Sequence, residues 1–235
     1  MNKVFLLSTT LLISQQGFSE SLDCTKYSNL FKNQAYQNYA LAKSAGYEQY
    51  RKFGQQTDYS YLFKDKHPGQ LYRGGAWNSE KDALEMSKIT YDFQRQGIIN
   101  NFKIQVLAPK GSYQSQYGDI CVMPIKGQYS FLDVNFESHY DAIMVRHPKT
   151  KSWRVFIYLG IEKQKDMAEF FPDFPAEIKL SPASYNGMNY AESSDFNIRH
   201  YYEFYHLAIN EEQEANLKKS KQDYLDALKA NGFIE

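Results

Sequence analysis

An excess of charge of either sign is missing from this 235-residue chain: 27 lysines and arginines stand against 27 aspartates and glutamates. Sequence-independent binding of nucleic acid needs a basic stripe that displaces counterions from phosphates. The basic residues here are scattered, so no nucleic-acid partner is expected. Long apolar runs are also scarce. The one in "MNKVFLLSTTLLISQQGFSESLDC" extends from Val4 to Ile13, too short to cross a hydrocarbon core of roughly 30 Å. Lys3 precedes it, and Gly17 and Ser19 follow at the spacing a signal peptidase reads, so residues 1–19 are expected to be a secretory signal cleaved after Ser19. No second such run follows, and no membrane insertion is expected after cleavage. Cysteine is limited to Cys24 and Cys121. Ser21, Leu22 and Asp23 do not form the small-residue motif that directs lipidation of Cys24. An even pair in an exported protein is expected to be a disulfide. Internal repeats and low-complexity tracts are absent as well.

Removal of the signal leaves about 215 residues, enough for one substantial domain or two small ones, and a single domain is expected over 20–235. From Thr25 to Phe53, "TKYSNLFKNQAYQNYALAKSAGYEQYRKF" repeats apolar and aromatic residues at threes and fours, predicting one or two helices broken near Gly46. "GQQTDYSYLFKDKHPGQ" is a connector with turn formers. In "LYRGGAWNSEKDALEM", Ser79 caps a helix with Asp82 at the capping-box spacing, and Ala83, Met86, Ile89 and Phe93 share one face up to Gly97. The two glycines let the chain turn into that helix, Trp77 is placed to staple its first turn, and Arg73 is expected to face solvent.

Beyond Gly97 the period changes to two. "NNFKIQVLAP" reads as one strand, "GDICVMPIKGQYSFLDV" as two about a Lys126-Gly127 turn, and "SHYDAIMVRHPKTKSWRVFIYLG" as two about "HPKTKS". Pro124 is expected at an edge or a bulge. Lys163 to Phe170 reads as a short helix stopped by "FFPDFP", which packs under the sheet. "SPASYNGMNYAESSD" reads as a loop and "FNIRHYYEFYHLAI" as a strand. Asn210 with Gln213 caps a last helix ending near Gly232. The fold class is therefore α+β: a helical part over 20–70, then a helix with a curved antiparallel sheet of five to six strands, and a C-terminal helix. The charged-tip hairpin "VRHPKTKSWRVFIY" resembles that of NTF2-like, cystatin-like α+β domains, and "ESHYDAIMVRHPKTKSWRVFIYLGIEKQKDMAEFFPDFP" resembles segments of uncharacterised secreted bacterial proteins. NTF2-like families include enzymes and pure binding proteins, so the resemblance leaves function open.

Three constellations carry potential chemistry. "YRGG" at Arg73 resembles the arginine segment of ADP-ribosyltransferases, which also need a Glu-x-Glu pair; Glu212 and Glu214 match, at a helix start where acidic residues are expected anyway. Cys121, His139 and Asp141 have the residue types of a cysteine hydrolase, but a disulfide would remove the nucleophile. His200, Glu203 and His206 would converge on a metal only from a helix, and on the expected strand Glu203 faces away. No metal and no cofactor are therefore expected. Twenty tyrosines offer aromatic faces for stacking, and Arg73, Trp77, Tyr140 and Trp153 are the candidate binding residues. The expectation is a periplasmic or secreted non-catalytic binding protein, its partner another protein or a small apolar or sugar-like ligand; one specific form would be immunity against an exported toxin. The competing class is a hydrolase or transferase acting on the cell envelope.

Overall fold

A computed structural model describes residues 22–235; the expected signal, residues 1–19, lies outside the described residues. Helices α1 (Ser28–Ser44) and α2 (Tyr47–Thr57) are separated by extended backbone at Ala45 and Gly46, the break expected from the glycine. The connector that follows is part of the core: Asp58 caps a 3-10 turn by accepting from the Ser60 N–H, and Tyr59 and Phe63 of that turn are buried.

The two-glycine stretch does more than steer the chain into a helix. Strands β1 (Gln70–Arg73) and β2 (Ala76–Ser79) pair antiparallel, with Arg73 opposite Ala76. Gly74 and Gly75 both take positive φ, 57° and 77°, the geometry of a two-residue hairpin turn whose twist matches the strands. Trp77 consequently pairs across from Tyr72 and stacks on His67 at 3.6 Å between ring centroids, instead of stapling the next helix. Helix α3 (Glu80–Gln96) starts as expected, with Ser79 Oγ accepting from the Asp82 N–H at 3.1 Å, and ends on left-handed Gly97.

Among the described residues the main sheet has seven antiparallel strands. Strands β3 (Ile99–Val106) and β4 (Gly111–Ser115) both pair with β5 (Gly118–Phe131) on one side, and β6 (Val134–Arg146) pairs with it on the other. The far side of β6 carries β7 (Trp153–Tyr158) along one half and β8 (Ser184–Tyr185) along the other, with β9 (Met188–Asn189) beyond β8. Helix α4 (Gln164–Phe170) follows β7, and α5 (Tyr190–Phe204) and α6 (Glu211–Ala230) close the chain.

Four expectations are corrected. Lys126 and Gly127 form no turn: β5 runs straight through them, and Gly127 sits opposite Ser138, where an added Cβ would meet the Ser138 hydroxyl at 2.5 Å. The glycine marks a close cross-strand approach, and the turn falls at 132–133. "FNIRHYYEFYHLAI" belongs to helix α5, because Asn189 and Glu192 form a full capping box just upstream; the aromatics that mimic a strand alternation are placed by the helical period, with Tyr201 packed on Phe93. The stretch read as a loop contains β8, β9 and the start of this helix. Pro124 lies inside the central strand, yet its carbonyl accepts from the Leu107 N–H where the neighbour changes from β3 to β4. Its missing N–H therefore falls at a local gap in the ladder.

Alternation divides the sheet into two buried faces. Cys121, Met123, Ile125, Ala142 and Met144 pack against Phe31 of α1. Ile120, Val122, Ile143, Val145, Phe156 and Tyr158 pack against Tyr59, Phe63, Tyr72, Phe170 and Phe171, so the "FFPDFP" phenylalanines do lie beneath the sheet. The Cys24–Cys121 disulfide joins the start of the described chain to β5 near its N-terminal end. Among the described residues no helix is long and apolar enough to cross a membrane.

Candidate functional site

The β1–β2 hairpin, α2, α3 and the edge of β7 surround a cleft of about 450 Å³, with Tyr50, Tyr61, Tyr72, Arg73, Glu162 and Tyr190 in its wall. Arg73 reaches it from the last position of β1. Its Nη1 donates to the Asp58 carboxylate, to Ser60 Oγ at 3.3 Å and to the Tyr72 carbonyl at 2.7 Å, and Tyr61 lies 5.3 Å from the guanidinium. Contrary to the solvent-facing expectation, the side chain is built into the wall. All its hydrogen bonds use one nitrogen, and among the described residues Nε and Nη2 make none.

Glu162 stands on the loop after β7. Its two carboxylate oxygens accept the backbone N–H groups of Leu159 and Gly160, each at 2.8 Å. The residue is 2% exposed, and burial pushes its carboxyl up to about 7 despite those bonds. Among the described residues no cation offsets it; the groups whose charges it influences are the phenols of Tyr72, Tyr158, Tyr185 and Tyr190. Burial holds all four phenols well above the ordinary tyrosine range, and Tyr50 is pushed up to about 12 for the same reason. The Tyr72 hydroxyl is buried without a hydrogen-bond partner.

A second, apolar chamber of about 270 Å³ adjoins this cleft, sharing Asn38, Thr57, Val155 and Ile157 as common wall. It lies between α1 and the face of the sheet that carries Met144, and Tyr140 lines it.

Of the residues singled out in the sequence, then, Arg73 lines the cleft and Tyr140 the chamber. Trp77 is wedged between His67 and Phe170. Trp153 is a core residue, packed against Tyr27 in a tilted contact at 4.8 Å and against Phe31 edge-on at 5.1 Å between ring centroids. The cysteine-hydrolase set is dispersed: Cys121 is in the disulfide on the α1 face, whereas His139 and Asp141 belong to the opposite face. Asp141 is 1% exposed and holds Lys110 Nζ and the Ser181 N–H, both at 2.6 Å, and His139 bonds Glu137. His200 and Glu203 lie on helix α5 rather than on a strand, with His206 past its end; His200 pairs with Asp133 at 2.7 Å. Among the described residues no group of three or more His, Cys, Asp or Glu is arranged to hold a metal. Glu214 is engaged bidentately by Arg199 at 2.9 and 3.0 Å, and Glu212 is exposed at the start of α6.

Neither Glu162 nor Tyr72 stands out in the sequence. Their character comes from desolvation by segments far away in the chain, which no local motif encodes. Comparison with protein-family models, with curated proteins and with solved structures finds no match, so the hairpin's resemblance to NTF2-like domains carries no family assignment.

Proposed function

We propose that this is a periplasmic or secreted, non-catalytic binding protein that holds a small sugar-like ligand in the tyrosine-walled cleft. The observation that carries this reading is the half-used guanidinium of Arg73. One nitrogen is fixed by Asp58, Ser60 and the Tyr72 carbonyl, which orients the group, and the remaining donors stand free in a cleft walled by Tyr50, Tyr61 and Tyr190. Ring faces stack on the C–H faces of a sugar, while fixed donors and a phenol meet its hydroxyls. Binding is favoured over catalysis because both carboxylates of the cleft are engaged, Asp58 by Arg73 and Glu162 by two backbone N–H groups. The disulfide supports an oxidising compartment.

The test is calorimetric titration of the purified protein with a panel of neutral and amino sugars, wild type against Arg73→Lys. The lysine variant keeps the charge beside Asp58 and removes the fork. A bound sugar whose affinity falls about tenfold in the variant is the expected result. No binding across the panel would overturn the proposal. Turnover of a sugar would do so in favour of an envelope-acting hydrolase or transferase.

A further inference from the structure

We infer that the chamber beneath α1 is a second binding site, for an uncharged amphiphile with a hydrocarbon body and one hydroxyl or amide head. Close-packed interiors leave few voids larger than a water molecule. At about 30 Å³ of liquid volume per water, a chamber of about 270 Å³ is too large to be a packing flaw. Apolar side chains, among them Phe31, Phe53, Phe102, Ile104, Ile125 and Met144, supply most of its wall, and no Asp, Glu, Lys or Arg lines it. A charged molecule entering it would lose its hydration without gaining a counter-ion.

The polar part of the wall defines the head group. Gln34 on α1 and Gln94 on α3 both line the chamber, and each presents a buried atom without a partner: the donor Nε2 of Gln34 and the acceptor Oε1 of Gln94. Buried polar groups are satisfied in the great majority of cases, and an exception requires an explanation. A group that only accepts, such as a carboxylate, would answer Gln34 and repel the Gln94 carbonyl. One that only donates, such as an ammonium, would do the reverse. A hydroxyl or a primary amide both donates and accepts, and so can bond either glutamine without repelling the other.

The site is independent of the sugar cleft, although the two share a wall. Its test uses four eight-carbon probes, 1-octanol, octanamide, octanoate and octylammonium, titrated into the full mature protein and followed by calorimetry and by thermal melting. Octanol and octanamide are expected to bind and raise the melting temperature, and the two ions to bind about tenfold more weakly or not at all. Ala142→Leu, which places a larger side chain on the chamber floor, should abolish binding of the neutral probes. Gln94→Leu keeps the chamber open and should reduce the preference for octanol over octanoate; it serves if the filled variant does not fold. No binding of any probe, equal binding of neutral and charged probes, or unchanged selectivity in Gln94→Leu would overturn the inference. Sugar binding measured alongside reports on the cleft separately.

Discussion

Glu162 shows how much of the site's chemistry depends on where one residue is buried. Its carboxyl titrates near 7 in the native protein against an ordinary 4.5. Between those values the folded state holds a proton that the unfolded chain has released. This group's contribution to stability is thus full below about 4.5 and lost as the pH rises through 7, a difference of about 3 kcal/mol. Glu162→Gln abolishes the titration while leaving one oxygen for the Leu159 or Gly160 N–H. The stability of wild type relative to this variant should therefore fall by about 2 to 3 kcal/mol between pH 5 and pH 8, measured by urea unfolding at each pH. A pH-independent difference would show that the carboxyl is not held protonated by its surroundings. None of this is legible in "LGIEKQKD", where Glu162 looks like a residue of a solvated turn. Arg73, by contrast, was legible as a candidate from its place beside two glycines. What the sequence could not supply was its partner, because Asp58 approaches from a connector whose fold is set by the burial of Tyr59 and Phe63.

Elements were readable where the local signal and the tertiary environment agree, and misread where they compete. The caps at Ser79 and Asn210, the break at Gly46 and the long hairpin through "HPKTKS" are fixed by neighbouring residues, and all form as expected. Strand β5 shows the competition. Gly127 carries the local signature of a turn, but the pairing of β5 with β6 over its whole length overrides it, and the glycine relieves a side-chain approach. Gly118, at the start of the same strand, has a different role. Its φ is 129°, and a Cβ there would collide with the backbone carbonyl oxygen of Arg146, which cannot rotate away. Gly118→Ala is accordingly expected to cost about 2 to 4 kcal/mol. Gly127→Ala, opposed only by a serine hydroxyl that can change rotamer, should cost less than about 1.5 kcal/mol. Urea unfolding of the two variants side by side checks the order, and equal losses would refute this assignment of their roles. Helix α5 failed for a related reason: its aromatics satisfy a two-residue and a three-to-four-residue period at once, and the Asn189–Glu192 capping box decides between them.

At the scale of the whole molecule the Cys24–Cys121 disulfide links the layer that roofs the chamber to the N-terminal part of the central strand. The bridged residues are 97 apart in sequence, and in the chain-entropy model a loop of that order stabilises the native state by about 4 to 5 kcal/mol, by restricting the unfolded ensemble. That mechanism can be separated from simple tethering of α1. If the bond acts through the unfolded chain, the Cys24→Ala, Cys121→Ala double variant should unfold at lower urea in one transition, with a steeper dependence on urea because its unfolded state is more expanded. Its native contacts would be intact, so affinity for octanol in the chamber at low temperature should match that of wild type. If the bond instead holds α1 against the sheet, Phe31 and Ala35 would leave the chamber when it is cut. Octanol affinity would then collapse and unfolding would become biphasic. Phe31 is buried against Trp153, and the Tyr36 hydroxyl on α1 accepts the backbone N–H of Ile104 in β3 at 3.2 Å. These contacts retain α1 without the covalent link, which makes a single, steeper transition with unchanged octanol affinity the expected outcome.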